Sequence, residues 1–185
     1  MNATNKQLDE VSKYLSYILR HKPEAIDLQL DIDGWADIES LISGSIKKGK
    51  AIDRETIQSV VTKSEKKRFS ISDDGKRIRA AQGHSTSTVR RNYQEKSPPE
   101  FLYHGTATHF LESILEIGLK SGSRHHVHLS QDILTAISVG KRNGKPITLI
   151  IESQKMCDLG FRFFLTENNV WLIDSAPPEF IKILK

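Results

Sequence analysis

The sequence predicts an α+β protein of two lobes, an N-terminal helical lobe that ends in a basic β-hairpin and a C-terminal lobe built on a mixed β-sheet. Two observations lead to this fold class. Apolar residues recur at helical spacing up to about residue 63, and short apolar strands separated by turn residues follow from residue 100 onward. The 185 residues are enough for one sizeable core or two small ones. We place the boundary near Pro98, so the lobes span residues 1–98 and 99–185.

The N-terminal lobe begins with three predicted helices. Apolar side chains recur on one face after Asn5, and Pro23 ends this helix near His21. Asp37 and Asp53 have the side chains that N-cap positions favour, so each marks the start of a shorter helix. The predicted inward residues are Leu8, Val11, Leu15, Ile18 and Leu19 in the first helix, Ile38, Leu41, Ile42 and Ile46 in the second, and Ile57, Val60 and Val61 in the third.

A basic hairpin follows the helices. Residues 68–72 and 76–80 alternate like strands around a turn at 73–75, and Arg77 and Arg79 therefore lie on the same face of the second strand. Helices followed by a basic hairpin predict a winged-helix-like lobe, a module that lays its hairpin against a nucleic-acid backbone.

The net charge of +4 is confined to the first half of the chain. Residues 1–99 contain 18 Lys+Arg and 14 Asp+Glu, whereas residues 100–185 contain nine of each. A polyanionic partner is one interpretation. A solvated lysine-rich face explains the charge equally well, so charge alone does not decide.

The segment after the hairpin reads Gln82-Gly83-His84-Ser85. Three polar side chains around a glycine could together bind one phosphate or ribose. A solvated linker is the alternative that the composition favours. The ligand site is supported only by position, because the segment joins a basic hairpin to the predicted pocket described next.

The C-terminal lobe begins with an apolar strand that runs into His104, Gly105 and Thr106, which we interpret as a ligand-contacting turn. A helix with apolar positions at Phe110, Leu111, Ile114, Leu115 and Ile117 ends at Gly118, and after a strand at 127–129 Ser130 caps a helix with Ile133, Ala136 and Ile137 inward. Further strands are predicted at 146–152, 162–165 and 170–173, and an apolar segment at 180–184. This order predicts a nucleotide-sized pocket.

Several protein classes are disfavoured. The single cysteine, Cys157, excludes an internal disulfide framework, and no apolar signal segment stands at the N-terminus, so we expect a cytoplasmic location. No apolar run is long enough to span a bilayer, and no membrane role is expected. We expect a monomer, because neither a coiled coil nor a large apolar surface is visible.

The sequence lacks the usual catalytic signatures. It has no carboxylate pair of defined spacing in the basic segments or the pocket stretch, and no G-x-S-x-G motif or P-loop. His125, His126 and His128 lack the spacing of a zinc site, so no metal is expected. What remains is a set of cationic and hydrogen-bonding side chains, namely Arg20, His21, Arg79, His84, His104, His128 and Arg142. Such a set suits a substrate that supplies its own nucleophile, for example a phosphate monoester, whose second pKa is about 6. For Arg20 and His21, neutralisation of a helix dipole is a sufficient alternative role.

Seven motifs, in order along the chain, resemble those of bacterial RNA 2′-phosphotransferases. They are LSYILRHKPEAI at 15–26, DGWADIESLI at 33–42, KKRFSIS at 66–72, IRAAQGHS at 78–85, LYHGT at 102–106, VHLS at 127–130 and VGKR at 139–142. The motifs cover nearly the whole chain, and several in the same order are far more specific than any one alone.

The resemblance implies an N-terminal winged-helix-like RNA lobe and a C-terminal lobe of the ADP-ribosyltransferase type that binds NAD as a co-substrate. It also implies a two-step removal of an internal 2′-phosphate, as in tRNA splicing. The 2′-phosphate first attacks C1 of the nicotinamide ribose and expels nicotinamide. The neighbouring 2″-hydroxyl then attacks phosphorus, releasing 2′-OH RNA and ADP-ribose 1″,2″-cyclic phosphate.

The resemblance also assigns residues. The catalytic set falls on Arg20, His21, Arg79 and Arg142, NAD-binding positions fall on His104, Gly105, Thr106, His128 and Ser130, and positions near the RNA 2′-phosphate fall on Gln82, His84 and Ser85. Protein-directed enzymes of this fold often carry a catalytic glutamate on a late strand. Val170 takes that position here, which disfavours a protein target.

Two rival functions stay open. The protein could ADP-ribosylate terminal phosphates of nucleic acids, which needs only the first step. It could instead be a winged-helix nucleic-acid-binding regulator whose second lobe senses a nucleotide, but this alternative gives no role to the arginines of both lobes.

Overall fold

A computed structural model describes residues 5–64 and 67–184. The chain forms two compact units that divide between Asn92 and Tyr93. Both units combine helices with small antiparallel sheets, so the fold is of mixed α and β character. In the described residues, no helix combines the length and hydropathy that a membrane crossing requires.

The first unit contains three helices and a three-stranded sheet within its described residues. In order these are α1 (Asn5–Arg20), a 3-10 helix (Pro23–Ile26), β1 (Ala36–Asp37), α2 (Ile38–Lys47), α3 (Arg54–Lys63), β2 (Phe69–Ile71) and β3 (Arg77–Ala80). The sheet has the order β1-β3-β2, and both pairs are antiparallel.

Local sequence accounts for most of these elements. Leu15 and Leu19 of α1 are fully buried, as the helical spacing predicts. The carboxylate of Asp37 accepts a hydrogen bond from the backbone N–H of Ser40, and that of Asp53 from the N–H of Thr56. Both predicted N-caps are therefore confirmed. Ile46 is 56% exposed and is not an inward residue, because the last turn of α2 faces the core with Gly44 and Ser45 instead.

The hairpin is also confirmed. β2 and β3 pair with Ser70 opposite Arg79, and Ile78 is fully buried on the face away from the arginines. The alternation of burial along β3 shows that Arg77 and Arg79 share the outer face, as predicted.

The second unit is built on short strands. Its elements are β4 (Gln94–Glu95), β5 (Leu102–Ala107), a 3-10 helix (Thr108–Phe110), α4 (Leu111–Ile117), β6 (Leu119–Lys120), β7 (Val127–Leu129), α5 (Ile133–Gly140), a 3-10 helix (Lys141–Asn143), β8 (Pro146–Ile151), α6 (Ser153–Asp158), β9 (Phe164–Leu165), β10 (Trp171–Ile173), β11 (Ser175–Ala176), a 3-10 helix (Pro178–Phe180) and β12 (Ile181–Ile183). The described strands form antiparallel sheets with the orders β4-β9-β10-β7, β12-β8-β5 and β11-β6.

The predicted turn at His104–Thr106 is wrong. These residues lie inside β5, where His104 pairs with Leu149 and Thr106 with Ile147. Gly105 is present not to turn the chain but to let helix α5 approach it: a Cβ atom built on Gly105 would lie 1.6 Å from the carbonyl oxygen of Ala136. The glycine therefore serves packing between a strand and a helix.

Two smaller expectations are also corrected. Helix α5 is capped by Asp132, whose carboxylate accepts from the N–H of Thr135 at 2.6 Å, and not by Ser130. In α4, Ile114 is buried, but Leu115 and Ile117 are 43% and 54% exposed. This helix has only seven residues, and Ile114 is its one buried side chain.

The second unit begins earlier than Pro98. Residues Gln94 and Glu95 pair with β9, and the N–H of Lys96 donates to the carbonyl of Phe163 at 3.0 Å. These residues therefore belong to the sheet of the second unit.

Candidate functional site

In the first unit, the predicted phosphate-binding residues begin at the end of helix α1. Arg20 is the last residue of α1, and the backbone N–H of Ser85 donates to its carbonyl oxygen at 2.9 Å. The Nδ1 atom of His21 and the hydroxyl of Ser85 form a hydrogen bond of 2.9 Å. Residues 82–85 are thus held against the C-terminal end of α1.

Gly83 lies against the guanidinium of Arg20. Its φ is +89°, in the left-handed region that favours glycine, and a Cβ built there would be 3.5 Å from Nη1 of Arg20. The backbone of residue 83 thus forms one wall beside this guanidinium.

His84 is buried behind this turn. Its side chain is 2% exposed, and its ring packs on Gly34, where an added Cβ would lie 2.9 Å from His84 Nε2. Gly34 also has a positive φ of +80°. The imidazole therefore occupies space that another residue at position 34 would fill.

Arg79 stacks on an aromatic ring. Its guanidinium carbon lies 4.3 Å from the centroid of the Trp35 ring, and that of Arg77 lies 5.5 Å away. Both distances are within the range of cation–π interaction. Trp35 directly follows Gly34, so the supports of Arg79 and of His84 are adjacent in the chain.

These contacts connect five of the predicted residues, Arg20, His21, Arg79, His84 and Ser85, into one cluster through Gly83, Gly34 and Trp35. Gln82 is half-buried in the same segment. The segment is not a solvated linker: Val89 is fully buried, and the N–H of Arg90 donates to the carbonyl of Ile32 at 2.8 Å. A groove of about 460 Å³ runs along the hairpin beside the cluster, lined by Trp35, Ser70, Ile71, Ser72, Asp73, Asp74, Arg77 and Arg79.

In the second unit, His104 and the strand β7 form a second cluster. His104 Nδ1 lies 3.0 Å from the carbonyl oxygen of His128. Tyr103 and Ser130 exchange two backbone hydrogen bonds of 2.7 and 2.8 Å, which tie β5 to the end of β7. The structure therefore brings His104, His128 and Ser130 together, while Thr106, further along β5, is 6% exposed.

The environment of His104 sets its protonation. Burial and, to a smaller extent, the positive charge of Arg124 lower its pKa below 6.5, although the bond to the His128 carbonyl acts in the opposite direction. A carbonyl oxygen only accepts, so the proton of the neutral ring is on Nδ1. The Nε2 atom of His104 is then an acceptor suited to a ribose hydroxyl.

Arg124 is a residue that the sequence analysis missed. Partial desolvation and the positive charge of Arg142 lower the pKa of Arg124, and Arg124 lowers that of His104, so Arg124 lies within electrostatic reach of both residues. Arg142 is exposed, in the 3-10 helix after α5. Only its position next to His125 and His126 could have drawn attention to Arg124.

The donors near His104 are of the chemical types that could hold a dinucleotide. Two guanidinium groups, Arg124 and Arg142, suit the negative charge of a diphosphate, and the imidazole of His104 suits a ribose hydroxyl. In the described part of the chain, no three His, Cys, Asp or Glu side chains are grouped to hold a metal ion.

The lowered pKa of His104 predicts an acid-sensitive fold. The unfolded chain takes up a proton at this residue near pH 6.5 and the folded chain only at lower pH, so the free energy of unfolding should fall as pH drops through this interval. We expect wild type to lose more stability than His104→Asn between about pH 7.5 and about pH 5.5, as measured by chemical denaturation. Equal losses in both proteins would contradict this assignment. His126, whose pKa is also lowered by burial, is present in both.

Comparison with known proteins places the chain in a family. A sequence model of the family described as RNA 2'-phosphotransferase, Tpt1 / KptA family, matches residues 6–175. A protein from Pectobacterium carotovorum is 56% identical over 178 residues, covering 96% of each chain. Proteins from Burkholderia lata (55% identical, 93% of this chain and 89% of that protein) and Pseudomonas fluorescens (53% identical, 98% and 100%) are also similar. Each of the three is named a probable RNA 2'-phosphotransferase. The chain therefore belongs to the Tpt1/KptA family of RNA 2′-phosphotransferases.

Proposed function

We propose that this protein is an NAD-dependent RNA 2′-phosphotransferase. It removes an internal 2′-phosphate from RNA through an ADP-ribosylated 2′-phosphate and releases nicotinamide, 2′-OH RNA and ADP-ribose 1″,2″-cyclic phosphate. The observation that carries the proposal is the cluster of guanidinium, imidazole and hydroxyl groups around residues 82–85, in a chain that belongs to this family.

In this proposal the first unit, with its basic hairpin, is a winged-helix-like RNA-binding lobe. Arg20 and Arg79 bind the oxygens of the 2′-phosphate, which is mostly dianionic at neutral pH because its second pKa is about 6. Gln82, His84 and Ser85 orient the same group by hydrogen bonds. The phosphate needs no protein base to act as a nucleophile.

The second unit is the NAD-binding lobe, of the ADP-ribosyltransferase type. NAD supplies a sugar carbon with a cationic leaving group, so the departure of nicotinamide needs no general acid. Nε2 of His104 accepts from a ribose hydroxyl, and Ser130 and His128 line the same strand ends. Gly105 and Thr106 contribute to the NAD site as part of strand β5.

Arginine is suited to the phosphoryl-transfer step. Charge in such a transition state spreads over the equatorial oxygens, where fixed guanidinium groups stabilise it without reorganisation. We assign this role to Arg20, Arg79 and Arg142. His21, held by Ser85, polarises or orients the attacking hydroxyl.

The test is an assay with a 2′-phosphorylated oligonucleotide. With NAD, the protein should produce 2′-OH RNA, nicotinamide and the cyclic phosphate in equal amounts, and without NAD it should produce none of them. Phosphate release that is independent of NAD would identify a phosphatase and refute the proposal. ADP-ribosylated terminal phosphates as the sole product would favour end-capping, and RNA binding without turnover would favour a regulator.

A further inference from the structure

The loop before β1 is closed by hydrogen bonds around Asp31. Its Oδ1 accepts from the backbone N–H groups of Asp33 (3.0 Å) and Trp35 (2.8 Å). The N–H of Asp31 donates to the carbonyl of Trp35 at 3.0 Å, and the N–H of Gly34 to that of Asp31 at 2.9 Å. Four bonds within five residues hold Trp35 at a defined place beside the hairpin.

The Trp35 ring carries the guanidinium of Arg79. The guanidinium carbon is 4.3 Å from the ring centroid, so the group is in contact with the ring, whereas Arg77 lies at 5.5 Å and its Nη1 is 3.6 Å from Oδ2 of Asp31. An arginine side chain otherwise samples many rotamers, and a stacking ring removes much of that freedom. The contact therefore restricts where the charge of Arg79 lies.

The same loop also supports His84. The ring of His84 packs on Gly34, at a distance that no Cβ could occupy without displacing it. We call the group of Arg20, His21, Arg79, His84 and Ser85 the phosphate cluster. One short loop thus contacts two of its side chains, Arg79 from β3 and His84 from the segment after it.

We infer that Trp35 is a positioning residue for 2′-phosphate transfer, acting through the guanidinium of Arg79. The inference rests on the proposed function, because it takes the rate of that reaction as its readout. Trp35 itself does not touch the reacting phosphorus or the NAD. Its contribution is to hold one donor in the place that the transition state requires.

The experiment compares Trp35→Leu, Trp35→Phe, Arg79→Ala and the double variant Trp35→Leu/Arg79→Ala. Rates of 2′-phosphate removal are measured in single turnover at saturating RNA and NAD. We expect Trp35→Leu to be slower by about 10- to 100-fold, the loss that follows a misplacement of about 1 Å. Trp35→Phe should recover to within about threefold of wild type, because phenylalanine still offers a ring face. The double variant should be no slower than Arg79→Ala alone.

Tyr14→Leu is the matched control for lost packing. Tyr14 also carries a cation over its ring, Lys50 at 5.9 Å, and lies on α1 outside the phosphate cluster. Its turnover should stay close to that of wild type even if it melts at a lower temperature. If Tyr14→Leu lost as much rate as Trp35→Leu, the effect of Trp35→Leu would be explained by lost stability alone, and the inference would be overturned.

A readout independent of turnover uses fluorescence. The chain has two tryptophans, Trp35 and Trp171, so Trp171→Phe leaves Trp35 as the only reporter. Adding Arg79→Ala should move its emission to longer wavelength, because the ring face becomes open to water. The inference would be overturned by any one of three results. These are an unchanged emission, additive rate losses in the double variant, and a Trp35→Leu defect that is confined to the KM for RNA. If wild type shows no NAD-dependent turnover, the proposed function fails, and the fluorescence result still decides whether the stacked pair exists in solution.

Discussion

Replacing Arg20 with alanine is expected to slow RNA 2′-phosphate removal by about 10²–10³-fold, the loss typical of deleting one preorganised donor to a developing anion. Arg20 is fixed by its surroundings, because the backbone of Gly83 packs against its guanidinium and the N–H of Ser85 is bonded to its carbonyl. Alanine leaves the backbone bond in place and removes the guanidinium, with its charge, its donors and its packing against Gly83. The effect should therefore appear in the rate constant and much less in stability.

Single-turnover rates at saturating NAD and RNA, together with thermal melts, measure this effect. Arg20→Lys should recover little of the loss, because an ammonium is a point charge that cannot form the planar fork of a guanidinium. Lys22→Ala is the matched control: it removes the same charge two residues on, from an exposed ion pair with Glu24 of 3.4 Å. Such pairs contribute about 0–1 kcal/mol, and turnover should stay near that of wild type. A comparable loss in Lys22→Ala would show that net charge, and not a placed guanidinium, controls the rate.

The elements that the sequence predicted well are those with local causes. Helix α1 follows from the spacing of Leu8 to Leu19, and α2 and α3 start where Asp37 and Asp53 bond to backbone N–H groups three residues on. The hairpin follows from alternation on either side of a turn. In each case the interacting residues are close in sequence, so the pattern carries the information.

The prediction at Gly105 failed because its cause is not local. A glycine between two polar residues is typical of a turn, but here the missing Cβ admits the backbone of α5, some thirty residues away in the sequence. Ser130 and Asp132 posed a similar problem, since both residue types are good caps and only the course of the chain selects Asp132.

The candidate site shows the same division. The arginines and histidines could be proposed from chemistry and from the family motifs. Trp35, Gly34 and Arg124 were missed, although Gly34 and Trp35 stand within a quoted motif. Each lies near a residue that is distant in sequence: Arg79 for Trp35, His84 for Gly34 and His104 for Arg124. Residues that support functional side chains become visible only when contacts are known.

Gly105→Ala is expected to cause the largest loss of stability of any change considered. The new methyl carbon would lie 1.6 Å from the carbonyl oxygen of Ala136 and 2.9 Å from the backbone nitrogen of Gly140. Both atoms belong to the backbone of α5, which cannot rotate away as a side chain can, so the helix must separate from β5. Overpacked cores lose about 1–3 kcal/mol when side chains can adjust, and here we expect at least about 3 kcal/mol.

Chemical denaturation followed by the fluorescence of Trp171 measures this loss, because Trp171 is 4% exposed in the core of the second unit. In a Trp35→Phe background the signal comes from that unit alone. Gly122→Ala is the control, since Gly122 has a φ of +63° but open space around it. It should lose only about 1–2 kcal/mol, the cost of a left-handed conformation. Gly105 does not have a positive φ, so a loss no larger than that of Gly122→Ala would contradict the idea that the approach of α5 to β5 requires glycine at position 105. A larger loss in Gly105→Ala would show that this approach, on which the placement of His104 and Arg142 depends, is maintained by the absence of a single methyl group.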